Sequence, residues 1–150
     1  MADTGARRAR PLLISNHPLY QIFLPIPIIC FVGAVLTDLT YLSHPDMMWI
    51  DFSSWLLLAG LIGGAIAGII LVIELVRMGR DRPSALTIHF LLLLAAWIVA
   101  VFNSFVHTRD GWTAVAGTGL ILSILGAVLA LVAGWFWRSA VAETVVGDAS

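Results

Sequence analysis

The chain has 150 residues, 60% of them hydrophobic and 11% charged, with a mean hydropathy of +0.98. A water-soluble domain covers its surface with roughly a quarter charged residues, so an ordinary soluble enzyme and a disordered tail are excluded. The net charge of −1, carried by eight arginines and no lysine against nine acids, leaves no basic patch and excludes a nucleic-acid partner.

In chain order, residues 1–16 form an arginine-rich segment holding Arg7, Arg8 and Arg10. Four apolar stretches follow, each long enough for the roughly 20 helical residues that a bilayer core demands: 20–42, 53–77, 84–107 and 112–137. A short tail closes the chain at 143–150, and the domain proper is read as 17–142. The first stretch runs too long, and lacks a small-residue cleavage site, for a removed signal peptide, so it is read as a retained span. Pro25 and Pro27 lack amide hydrogens and crowd the carbonyls of Gln21 and Phe23. The regular helix is therefore expected from Pro25, with 17–24 a bent lead-in. The 18 residues 25–42 would still reach roughly 27 Å at 1.5 Å each.

Seven arginines (Arg7, Arg8, Arg10, Arg77, Arg80, Arg82, Arg138) fall on one side of this arrangement and only Arg109 on the other. The positive-inside rule then puts both termini in the cytoplasm. Short links imply an all-α, up-down four-helix bundle. Trp49, Trp55 and Trp112 mark the outer interface; Trp135, Trp137 and Tyr20 mark the inner one.

Two spans carry small-residue stripes. Gly60, Gly64 and Gly68 lie beside Ala59, Gly63 and Ala67, while Gly126, Ala130 and Gly134 lie beside Gly119, Ser123 and Ala127. Such faces let helix backbones approach closely in lipid, within the bundle or across a homodimer seam.

Ionisable side chains inside spans are costly and point to function by default. Glu74 and His89 sit at matching inner depths, where a carboxylate fixes an imidazole tautomer or passes a proton; Glu74 pairing with Arg77 or Arg80 is the alternative. Asp38 and Asn103 match at the outer depth, where a hydrogen bond locking spans 1 and 3 is expected. The histidines fall two to a side, His17 and His89 inside, His44 and His107 outside, a layout suited to b-type haem held by neutral imidazoles. His17 and His44 are 27 residues apart, about 40 Å if helical, which favours a single inner haem on His17 and His89 and leaves the outer pair interfacial. Cys30 stands alone, so a disulfide frame, a thiolate cluster and covalent haem are excluded. Phosphate-loop, zinc-hydrolase and nucleophile-elbow motifs are absent, so an enzyme complete in itself is not expected. No convincing inverted repeat argues for a secondary transporter.

The opening HPLYQIFLPIP (17–27), the Thr37–Asp38 pair and the IHFLLL…FNSFVHTRDGW of span 3 (88–112) resemble the bacterial predicted-membrane-protein family of domain of unknown function 2231. Family members often have a second histidine where this chain has Tyr20, and a Gly-Gly-Glu stretch where it has residues 136–140. The resemblance implies a four-helix bacterial inner-membrane protein, similar in layout to small b-type cytochromes and sited beside periplasmic quinoprotein dehydrogenases. It marks His17, Asp38, His89, Asn103 and Arg109 as candidate positions. The leading expectation is an electron-transfer subunit holding haem b or meeting quinone near His17, Glu74 and His89. Asp38 and Asn103 would serve as proton relay or support, and Arg109 and Asp110 as the outer docking edge for a periplasmic redox partner. The second expectation is a non-catalytic membrane anchor or assembly subunit; the third is a conducting bundle using Asp38 and Glu74.

Overall fold

A computed structural model describes residues 18–109 and 115–148. Arg7, Arg8, Arg10, His17, Asp110 and Trp112 lie outside the described residues. Helix α1 (Pro18–Phe23) leads through a turn at Leu24 into α2 (Pro25–Ser43). Then come α3 (Met47–Met78), α4 (Ser84–His107) and α5 (Leu120–Asp148), the last opened by a single π-turn at Val115–Gly119.

Local chemistry sets these boundaries. Pro25 and Pro27 stand in the first turn of α2, where a missing amide hydrogen costs nothing because that turn has no intrahelical acceptor to lose. The lead-in expected to be merely bent is itself one helical turn and a half, tied to α2 by the Leu24 amide donating to the Tyr20 carbonyl at 2.9 Å. Asp46 caps α3, its carboxylate accepting from the Met48 amide at 3.0 Å. That cap moves the start of α3 to Met47, six residues before the apolar run chosen from sequence. Gly79 ends the same helix at φ 58°, a left-handed conformation that favours glycine.

Four helical stretches, Pro18–Ser43, Met47–Met78, Ser84–His107 and Gly117–Ala142, are long and apolar enough to cross a bilayer. Their outer surfaces confirm which solvent they face. Val76 is 77% exposed and Trp55 69%, whereas Asp38, His89 and Asn103 are 0% exposed. A protein that hides its polar groups and shows its aliphatic ones is dissolved in hydrocarbon.

The helices form a ring in which α2 packs on α3 and α4 on α5 most extensively, and α5 on α2 and α3 on α4 less so. The interior is layered. Tyr20, Leu71, Leu86, Met78 and Ala133 fill one end. Phe31, Ala34, Leu57, Ala96, Ala100, Ala127 and Ala130 fill the middle. Tyr41, Ile50 and Val115 close the other end.

The glycine stripes divide by use. A β-carbon on Gly60 would lie 2.5 Å from the Phe31 ring, and one on Gly63 would lie 2.6 Å from Ile26, so these two let α2 and α3 touch. Gly64 abuts Trp97, and Gly134 abuts Ile28, each at 3.1 Å. Gly126 has an ordinary 3.7 Å neighbour in Val99. Gly68 faces the open side: nothing lies within 4 Å of its β-carbon position. Gly60→Ala should therefore lower stability by about 1–3 kcal/mol through overpacking. Gly68→Ala should leave stability unchanged or raise it by up to about 1 kcal/mol through helix propensity. Denaturant titration of both variants in mild detergent measures the difference.

Candidate functional site

Two polar centres interrupt the apolar interior, one near each end. On α4 they are separated by the 14 residues from His89 to Asn103, roughly 21 Å of helix.

The first centre joins α1, α4 and α5. The Nδ1 of His89 lies 2.7 Å from the carbonyl oxygen of Ala133. A carbonyl only accepts, so Nδ1 carries the hydrogen and Nε2 presents its lone pair. The Tyr20 hydroxyl sits 2.5 Å from Nε2 and donates to it. Both residues are 0% exposed, and the Trp137 ring covers them, its centroid 4.8 Å from that of Tyr20 and 5.6 Å from that of His89. Tyr20, expected as an interface marker, is thus a buried partner of the histidine.

Glu74 does not meet His89 as the matching depths suggested. It accepts a two-pronged pair of bonds from Arg77, Nε to Oε2 at 2.9 Å and Nη2 to Oε1 at 2.6 Å. The i, i+3 spacing puts these two side chains on one helix face, and a forked guanidinium–carboxylate pair is the stronger bond.

The second centre joins α2, α3, α4 and α5 at a single carboxylate. Oδ1 of Asp38 accepts from the Ser53 hydroxyl at 2.5 Å and contacts Nε2 of His107 at 3.1 Å; Oδ2 accepts from the Ser123 hydroxyl at 2.5 Å. Ser53 also bonds the Thr37 hydroxyl at 2.6 Å, and Asn103 Nδ2 donates to Ser123 Oγ at 2.8 Å. The direct Asp38–Asn103 bond expected from depth is replaced by one through Ser123. Oδ1 of Asn103 is buried with no hydrogen-bond partner. His107, read from sequence as interfacial, is a buried member of this cluster, while His44 is exposed in the α2–α3 link. Because the ends of α2 and α4 meet the beginnings of α3 and α5 here, neighbouring helices run antiparallel.

Residues 16–150 match a family described as a predicted membrane protein family, DUF2231. The chain belongs to this family. No curated protein and no solved structure matches it. Within this DUF2231 chain, haem ligation by His89 meets a poor fit. Both ring nitrogens are engaged, and an iron bond would require the Tyr20 hydroxyl to leave Nε2. Trp137 and Tyr20 also occupy the space around the ring that a porphyrin needs. Among the described residues no group of three His, Cys, Asp or Glu side chains could hold a metal. Arg109 is exposed at the end of α4, as a docking residue would be.

Ser53, Ser123 and Thr37 were missed as polar partners. Ser123 stands in the small-residue stripe of span 4, where it reads as a spacer, and Ser53 is only the first position of span 2. Tyr20→Phe should cost about 1–3 kcal/mol, because the Nε2 acceptor stays buried without a donor. Equilibrium unfolding in mixed micelles reads that loss, and an unchanged midpoint would contradict the geometry.

Proposed function

We propose that this DUF2231 protein is a non-catalytic subunit of the bacterial inner membrane, both termini cytoplasmic, that docks a transmembrane helix of a larger complex. The observation carrying this reading is the α3–α4 seam. There Gly64, Ala65, Gly68, Ile69 and Val72 face Phe90, Leu93, Leu94 and Trp97 across an open groove of about 280 Å³. Gly64 is covered by Trp97 within the bundle, so the small residues this groove leaves to a second backbone in lipid are Ala65 and Gly68. The bundle's own helices leave Gly68 untouched. By contrast, both polar centres spend their hydrogen bonds on holding the bundle together.

Conduction has little to support it. The middle layer between the two centres is built from Phe31, Leu57 and alanines, and a proton needs hydroxyl, carboxyl, imidazole or water stations to cross about 20 Å. The electron-transfer reading rests on the four histidines and on the family resemblance. Against it stands the fully engaged ring of His89.

Gly68→Leu tests the docking reading, because the added side chain enters open space and leaves the bundle intact. Native gels of gently solubilised membranes should show the wild-type chain in an assembly of mixed composition, and the variant should be lost from it. A Gly68→Cys chain that crosslinks to its own copy would replace the reading with a homodimer; a wild type that migrates alone would overturn it. A separate outcome is optical. The protein purified from haem-replete cells should be colourless, whereas a reduced-minus-oxidised b-type spectrum lost in His89→Ala would establish the haem reading instead.

A further inference from the structure

We propose that Asp38 and His107 form a binding site for one exchangeable proton, and that this proton locks the Asp38 end of the bundle. The argument begins with the His107 ring. Its Nδ1 lies 3.1 Å from the carbonyl oxygen of Asn103, one turn earlier on the same helix. That oxygen only accepts, so Nδ1 carries a hydrogen. A neutral imidazole so arranged turns a bare lone pair outward from Nε2. Nε2 nevertheless lies 3.1 Å from the Asp38 carboxylate, and both side chains are 0% exposed.

Two lone pairs do not hold this distance in an apolar surrounding. The contact requires one further proton, on Nε2 as an ion pair or on Oδ1 as a carboxylic acid. In both forms the pair has no net charge, the condition for stable burial at membrane depth. Among the described residues, the titratable groups facing the site are Asp38 from α2 and His107 from α4. From α3 and α5 come Ser53 and Ser123, which do not titrate and donate to the carboxylate in either form. Tyr41, one turn beyond Asp38 on α2, packs with Ile50 and Val115 in the capping layer. Asp46 and Asp51 are exposed outside it.

The site lies at one end of α4. His107 is the last residue of α4, followed by the exposed Thr108 and Arg109. In the opposite direction the Phe31–Leu57–alanine layer separates it from His89. The unpartnered Oδ1 of Asn103 supplies an acceptor inside the cluster for an incoming water. On this layout the proton exchanges at that end of α4, and the apolar layer offers it no station on the way to His89.

Loss of the proton leaves a net negative charge and opposed lone pairs between α2 and α4. The end of α4 then separates from Asp38 while the serine contacts remain. Stability that depends on the shared proton is present below the titration of the pair and lost as pH rises through it. Over the interval in which the closed pair holds the proton and the opened state does not, the opening equilibrium should grow about tenfold per pH unit, one proton being released on opening. It levels off once the closed pair has itself lost the proton.

Hydrogen–deuterium exchange of the wild-type chain in nanodiscs, corrected for intrinsic rates, measures this opening over residues 100–109. Protection should fall with rising pH there and stay flat over residues 86–96. Asp38→Asn should abolish the dependence, and Ser123→Ala, which leaves both titrating groups in place, should retain it. Infrared spectra of the unaltered protein provide a readout that needs no variant. A carboxylic or imidazolium band should disappear over the same pH interval as the protection. Protection of 100–109 independent of pH, or an unchanged dependence in Asp38→Asn, overturns the proposal.

Discussion

The structure depends on one constraint: a polar group removed from water into hydrocarbon has to find its partner inside the protein. Asp38 obeys it most completely, drawing a serine from α3, a serine from α5 and a histidine from α4 onto its two oxygens. His89 obeys it with one bond to a backbone carbonyl and one to a tyrosine. Individual hydrogen bonds of this kind in membranes are worth only about 0.6–2 kcal/mol. Their arrangement matters more than their sum, because bonds converging on one carboxylate fix the relative rotation of four helices at once.

Apolar packing fills what these two centres leave. Between them the interior is made of small residues against a few large ones, with alanines on α2, α4 and α5 set against Phe31 and Leu57. Close approach of α2 and α3 at Gly60 and Gly63 supplies dispersion where lipid supplies no hydrophobic drive. The polar clusters set rotation and the glycines set distance; on the α3–α4 seam Gly64 meets Trp97, and beyond that contact the seam opens beside Gly68. A cross-seam hydrogen bond runs from Trp97 Nε1 to the Leu61 carbonyl at 2.9 Å.

Much of this was legible in the amino-acid sequence, and the misreadings share one cause. Span number, order and depth follow from apolar run length, and Ser84–His107 coincided with its helix. Counting residues gives depth along a helix but not the angle around it. Glu74 and His89 match in depth, yet Glu74 is held by Arg77 on its own helix face. Asp38 and Asn103 also match in depth, yet a serine stands between them. Small hydroxyl residues are doubly hard to read, since Ser123 serves a stripe of close packing and a carboxylate together. Tyr20 was read by its tendency to sit at interfaces, a statistical preference that a specific partner on α4 overrides.

The length of α3 has a mechanical consequence. Its 32 residues amount to roughly 48 Å of helix, against a hydrocarbon slab of about 30 Å. The surplus goes into leaning or into projection beyond the slab, whereas the 24 residues of α4 come much closer to the slab's thickness. Two helices of unequal length that share a slab differ in how much of each must lean or project, and the open groove beside Gly68 lies between these two. The mismatch between the two helices thus falls on the side of the bundle that carries this groove.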